Sequence, residues 1–198
     1  MKRFVVFEGI DGSGKSTVSK RVYQEIKKLG LEVTLTQEPF NENVKACIED
    51  FLSRDADPIS IAMLFIADRV EHSKIIKSWM EQGRIVVCDR YEDSTYAYQG
   101  AQLEGRKKNP VKFLKDLTPK DIIHPDRVFI LDIDPDTAIS RLKGERAFRS
   151  FENREFLLRV RKNYLLLAKD ERYRIIDATR DIEEIVGICL KDILGEER

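Results

Sequence analysis

The sequence predicts a three-layer α/β protein, with helices on both faces of a doubly wound, five-stranded parallel sheet. Three observations lead there. Short runs of Val, Ile and Phe recur along the chain and are continuous rather than alternating, which marks strands buried on both faces. Longer stretches of helical periodicity separate these runs, so strand and helix alternate. No repeat, low-complexity tract or linker interrupts the 198 residues, a length that suits one domain spanning 1–198.

The elements follow in order. Arg3 to Phe7 reads as a buried strand, and Ser16 to Leu29 as a helix that stops at Gly30. Leu31 to Thr36 is the second strand. A helix around Val44 to Leu52 comes next, then a longer one from about Ser60 to Gln82, stopped by Gly83. Arg84 to Cys88, Arg127 to Leu131 and Tyr173 to Ile176 supply the remaining strands. One helix begins at Asp134-Pro135. Another covers Glu152 to Lys169, with Phe156, Val160, Tyr164 and Leu167 turned inward as core packing. A closing helix runs from about Asp181 to Leu194.

Composition excludes several classes. With 42% hydrophobic and 9% aromatic residues the chain is not disordered, although 35% of it is charged. Lys+Arg and Asp+Glu both number 35, so the broad basic character of a nucleic-acid binder is missing. No apolar run approaches the ~20 residues that span a bilayer, which gives no reason to expect a membrane partner. Met1-Lys2-Arg3 leads into an apolar run too short for a signal-peptide core. Cys47, Cys88 and Cys189 are odd in number and far apart, as reduced thiols are in a cytoplasmic protein. His72 and His124 stand at no metal-ligand spacing, which argues against a zinc site or a Ser-His-Asp triad.

Directly after the first strand stands Gly9-Ile10-Asp11-Gly12-Ser13-Gly14-Lys15-Ser16-Thr17, which fits G-x-x-x-x-G-K-[ST] in full. Its glycines let backbone N–H groups close around phosphate oxygens, and the helix that follows points its positive end at the anion. Lys15 reaches the β- and γ-phosphates and the Ser16 hydroxyl suits Mg²⁺. These residues, Gly9 to Thr17, form a nucleoside triphosphate site. A guanine-reading Asn-Lys-x-Asp segment is missing, which argues against a GTPase.

Asp89 ends the third strand and Arg90 stands beside it. Asp89 suits Mg²⁺ or its waters, and Arg90 suits the clamping of a second phosphate with its planar fork. The dipeptide alone also fits a helix-capping acid next to a solvated arginine. Tyr91 to Gly100 adds tyrosines, Ser94 and Gln99, a set that lines pockets for flat polar rings.

With these residues in view, the chain resembles the thymidylate kinases over nearly its whole length, from Phe4 to Ala178. The matching segments are Glu8 to Thr17, Gln37-Glu38-Pro39, Phe65 to His72, and Asp89-Arg90-Tyr91 with Ser94 and Ala97 to Gly100. The resemblance implies the P-loop kinase fold and transfer of the γ-phosphoryl of Mg·ATP to dTMP, giving dTDP and ADP. It implies that Phe65 stacks on thymine and Arg69 donates to its carbonyl. Their i, i+4 spacing puts both on one helix face, which also fits a core Phe beside a surface Arg. It further implies that Ser94 and Gln99 bond the base, Tyr98 packs on the deoxyribose, Asp11 binds the 3′-hydroxyl and Glu38 lies near the acceptor. Arg90 then bridges acceptor phosphate and transferring group, and the protein is a homodimer.

One departure is Gln37-Glu38-Pro39-Phe40-Asn41, where relatives commonly carry Arg-Glu-Pro-Gly-Gly. It removes a phosphate-contacting arginine and stiffens the turn. The second departure concerns the catalytic arginine, which no variable position of the phosphate loop supplies. By the resemblance it then comes from a lid at about 141–151, where Arg146 and Arg149 are the choices for a catalytic role beside Lys15 and Arg90. Residues 141–149 hold four bases and one acid, a pattern that also fits a solvated loop. The alternatives are another deoxynucleotide or nucleoside kinase, and a non-catalytic ATP-dependent switch module.

Overall fold

The computed structural model describes residues 3–142 and 153–195. Along them run β1 (Phe4–Glu8), α1 (Lys15–Lys28), β2 (Val33–Gln37), α2 (Glu42–Ser53), α3 (Pro58–Glu81), β3 (Ile85–Asp89) and α4 (Glu92–Gln102). Then come α5 (Pro110–Leu117), β4 (Arg127–Asp132), α6 (Pro135–Leu142), α7 (Arg154–Leu167), β5 (Tyr173–Asp177) and α8 (Ile182–Leu194). The strands form one all-parallel sheet in the order β2-β3-β1-β4-β5. The chain steps outward from β1 to β2 and then back through β3, β4 and β5. Right-handed crossovers therefore put α1 on one face and α3, α4 and α7 on the other. α8 returns to pack beside α1.

The central strands are apolar because both of their faces are covered. Every residue of β1 is buried, as are Ile85–Cys88 of β3 and Val128–Leu131 of β4. Phe7 stacks on Phe129 across the ladder at 5.2 Å between ring centroids. Polar caps set where helices start: Asn41, Asp57, Asn153 and Asp181 each accept a hydrogen bond from a backbone N–H in the first turn.

The expected fold class is present, with the strands displaced by a residue or two. Two helices, α4 and α5, were not anticipated. α4 is buried almost all round, and its buried set includes Glu92, Asp93, Thr95 and Gln99. Polar side chains facing inward erase the apolar stripe by which a helix is read from sequence. α5 is only eight residues long, too short for a clear period. The expected lid overlaps the described residues only at Arg141 and Leu142; Arg146 and Arg149 lie outside them.

Ile130 sits in the middle of β4 at 1% exposure. Ile130→Val is expected to cost about 0.5–1.5 kcal/mol, read as a lower urea midpoint at unchanged slope.

Candidate active site

Strand β1 ends at the loop, and the loop ends in α1. Within it, Ser13 N–H bonds to Ile10 O at 3.1 Å and Val18 N–H to Gly14 O at 3.0 Å. Gly9 has φ of +143°, and a Cβ there would lie 2.6 Å from Leu131 O. Gly12 has φ of +84°, and a Cβ would drive into the Ala138 carbonyl of α6. Both positions therefore exclude a side chain on two counts. Lys15 is folded inward at 5% exposure, its Nζ donating to Ile10 O at 2.9 Å. Burial and then the Arg90 charge pull its pKa down to about 8, against the opposing pull of Asp11 and Asp89.

Asp89 ends β3 beside this loop. Ser16 Oγ donates to its Oδ2 at 2.5 Å, while Oδ1 is buried with no hydrogen-bond partner. An orphaned carboxylate oxygen next to a hydroxyl is a donor set that fits a divalent cation or its waters.

Arg90 follows with φ of +70°, in the left-handed region a non-glycine residue rarely enters. Its Nη2 pairs with Asp11 Oδ1, its Nη1 donates to Ser94 Oγ at 3.0 Å, and its guanidinium lies 5.3 Å from the Tyr98 ring centroid. Asp11 Oδ1 is also 3.9 Å from Lys15 Nζ, so one carboxylate stands between the two cations of the site. Asp11 N–H donates to Tyr98 Oη at 2.9 Å.

Arg69, on α3, is 1% exposed. Glu38 accepts from its Nε at 2.9 Å and pairs with its Nη2 at 2.7 Å. Its Nη2 also donates to Tyr91 O at 3.2 Å and Thr95 Oγ1 at 3.1 Å. Only Nη1 has no partner, and Arg69 lines a cavity. His72 Nδ1 meets the other Glu38 oxygen at 3.1 Å, and its Nε2 meets Thr36 Oγ1 at 2.9 Å. The turn after Glu38 is tied down: Phe40 stacks flat on His72 at 4.3 Å, and Asp68 accepts from the N–H groups of Phe40 and Asn41 at 2.6 and 2.8 Å.

The sequence candidates converge on two adjoining cavities. The larger, about 610 Å³, is walled by Asp11 to Thr17 of the loop with Arg90, Arg141 and Arg180. The other, about 350 Å³, is lined by Asp11, Glu38, Phe65, Arg69, Arg90, Ser94, Tyr98 and Gln99. Asp11 and Arg90 belong to both. Gly9 and Ile10 form the loop's root, and Asp89 sits between loop and strand end. Phe65 and Arg69 do share a face of α3 toward the cavity, yet Arg69 is a buried ion-pair partner and not a surface residue.

Sequence reading missed Glu8. It is wholly buried at the end of β1, where Oε1 accepts from Tyr91 N–H at 2.8 Å and Ser94 N–H at 3.2 Å. Oε2 accepts from Ser94 Oγ at 2.6 Å and Tyr164 Oη at 3.0 Å. Tyr164 is buried, as core packing required, but its hydroxyl reaches this carboxylate. The signal was a carboxylate closing an otherwise apolar strand.

A phosphate loop, an arginine shared with a second cavity, and a buried arginine facing that cavity define a P-loop kinase for a small phosphorylated acceptor. Comparison with known proteins narrows the class. The family model described as thymidylate kinase matches residues 7–187. A probable thymidylate kinase of Methanosarcina barkeri is 41% identical over 97% of this chain and 96% of its own length. One of Methanosarcina mazei is 36% identical over 97% and 95%. A thymidylate kinase of Symbiobacterium thermophilum is 36% identical over 93% and 89%. The chain belongs to the thymidylate kinase family.

A Lys15 that serves as a phosphate ligand would bind as the ammonium, and burial with the Arg90 charge pulls its pKa down to about 8. Below that pH the proton is in place; above it, binding must first restore the charge. Affinity for a non-hydrolysable ATP analogue is therefore expected to hold to about pH 7.5 and then fall toward about tenfold per pH unit. A flat titration to about pH 9.5 would overturn the Lys15 assignment.

Proposed function

We propose that this chain transfers the γ-phosphoryl group of Mg·ATP to dTMP, giving dTDP and ADP. The observation that carries the reading is the pair of adjoining cavities with Arg90 and Asp11 between them. Gly9 to Thr17 bind ATP. Asp11, Glu38, Phe65, Arg69, Arg90, Ser94, Tyr98 and Gln99 surround dTMP. The free Nη1 of Arg69 donates to a base carbonyl, and a buried donor left without a partner is costly unless a ligand meets it. Phe65 stacks on the ring and Tyr98 packs on the sugar.

The acceptor phosphate has a second pKa of ~6 and is already a dianion at neutral pH. No general base is required, which agrees with a site that holds no histidine. The work left to the protein is to bring two anions together and to neutralise charge on the transferring group. Lys15 and Arg90 do this, exchanging Asp11 for phosphate oxygens, and Asp11 turns to the 3′-hydroxyl. Ser16 and Asp89 hold Mg²⁺, which supplies further charge neutralisation at the phosphates when bound. One of Arg146 and Arg149 completes the charge. The family supports a single-domain homodimer in the cytoplasm; no helix of the described residues is long and apolar enough to cross a membrane.

Two experiments test this. A coupled assay with ATP and each nucleoside monophosphate is expected to favour dTMP; preference for AMP, or ATP turnover indifferent to dTMP, defeats the reading. Arg90→Ala is expected to lower kcat by on the order of a hundredfold while KM for ATP stays within about threefold. Arg146→Ala and Arg149→Ala are compared in the same assay. Full turnover by both puts the last arginine elsewhere.

A further inference from the structure

We infer that Glu8 is a positioning residue: by taking the Ser94 hydroxyl proton, it leaves a Ser94 lone pair open to the hydrogen bond that holds Arg90 in place for phosphoryl transfer. The inference rests on the kinase reading for its kinetic part only.

Glu8 is 0% exposed and accepts from four donors, two of them backbone N–H groups of the turn after Arg90. Four donors suit a carboxylate and leave no room for an acidic proton. Burial pushes the group above the usual carboxylate range, opposed chiefly by the Ser94 hydrogen bond and the Arg90 charge.

Ser94 has one hydroxyl proton and three neighbours: Glu8 Oε2 at 2.6 Å, Tyr164 Oη at 2.9 Å and Arg90 Nη1 at 3.0 Å. The guanidinium only donates, so Ser94 must accept from it. Its proton therefore goes to Glu8 Oε2, the nearest acceptor, and the Tyr164 hydroxyl donates to Glu8 Oε2 or to the second Ser94 lone pair. The guanidinium fixes the direction of its own bond, and the carboxylate draws the Ser94 proton away from it. The backbone of Arg90 is independently anchored, its N–H donating to Phe7 O at 3.0 Å. The Ser94 bond steadies the other end of a long side chain whose salt-bridge partner Asp11 is expected to let go when phosphates arrive.

Glu8→Gln has nearly the same shape but the wrong polarity. Its amide oxygen must face the two backbone N–H groups, so its NH₂ faces the Ser94 and Tyr164 hydroxyls. Ser94 must then accept from the amide as well as from Arg90, so a second donor crowds the guanidinium's acceptor, and the Ser94 proton is left to Tyr164 Oη. A group that merely fills space would not notice this change. One that positions Arg90 would.

The test is a double-mutant cycle on the full chain. Glu8→Gln and Ser94→Ala are each expected to lower kcat by about tenfold with KM for ATP within about twofold, and the double variant also by about tenfold. A double variant that loses about a hundredfold, the product of the singles, means independent action and overturns the inference. If Glu8→Gln does not fold, Glu8→Asp, which keeps an acceptor-only carboxylate but withdraws it from Ser94 Oγ, takes its place in the cycle on the same criterion. A readout without substrate separates this inference from the functional reading. The Arg90 side-chain N–H signals are expected to be resolved by NMR in the wild type and broadened by exchange in Glu8→Gln. Unchanged signals overturn the positioning role whatever the acceptor proves to be. A wild type that leaves dTMP unphosphorylated defeats the functional reading alone.

Discussion

The register of three parallel strands is the constraint on which the site depends. Phe7 of β1 is level with Asp89 of β3, and Asp89 is level with Gln37 of β2. The phosphate loop, the Asp89-Arg90 turn and the Gln37-Glu38 turn thus leave the sheet at one edge. Backbone hydrogen bonding continues past the strand ends, from Arg90 N–H to Phe7 O and from Glu38 N–H to Asp89 O. The three turns are consequently joined by main chain before any side chain takes part. That rigidity is what holds Arg90 at a positive φ, a conformation that costs about 1–3 kcal/mol and persists only where the surroundings over-determine it.

Much of the fold and the phosphate loop was legible in the sequence because their signals are local. An unbroken Val/Ile run says buried strand by itself, and the Gly9 to Ser16 pattern carries its chemistry in adjacent residues. What could not be read depends on partners far away along the chain. α4 hid its helix because Glu92, Asp93 and Thr95 turn inward to His124, Tyr173 and Arg69, and Gln99 lines the smaller cavity. Glu8 and Tyr164 meet across 156 positions, and no spacing rule connects them. The spacing of Phe65 and Arg69 left open a base-reading pair or a core Phe beside a surface Arg, and it gave no sign of Glu38, 31 residues away, which pairs with Arg69. Phe40 is the instructive middle case. Its departure from the glycine usual at that position was visible, but its flat stacking on His72 needed the fold.

Equal numbers of acids and bases, 35 of each, acquire a local meaning in this light. An empty site holding Lys15, Arg69 and Arg90 would be costly to bury, since each ion taken from water without a partner costs several kcal/mol. Asp11 and Glu38 make the empty site foldable, as resident counter-ions for cations whose function is to meet phosphate and base.

The two counter-ions are built differently, and the difference follows their tasks. Glu38 and the Arg69 it holds are 2% and 1% exposed, and His72, itself bonded to Thr36, meets the other oxygen of the carboxylate. That pair is buried, so on the proposed function the Arg69 Nη1 amino group, which has no hydrogen-bond partner among the described residues, would meet the base at a fixed point. Asp11 and Arg90 are 18% and 22% exposed and open onto both cavities. Their pair can be opened by a phosphate of higher charge, while the Ser94 hydroxyl keeps the guanidinium from swinging free as the partner changes. On the proposed function, rigid pairing serves recognition and exchangeable pairing serves transfer, and the carboxyl ends of three neighbouring strands support both because their main-chain bonds do not depend on either.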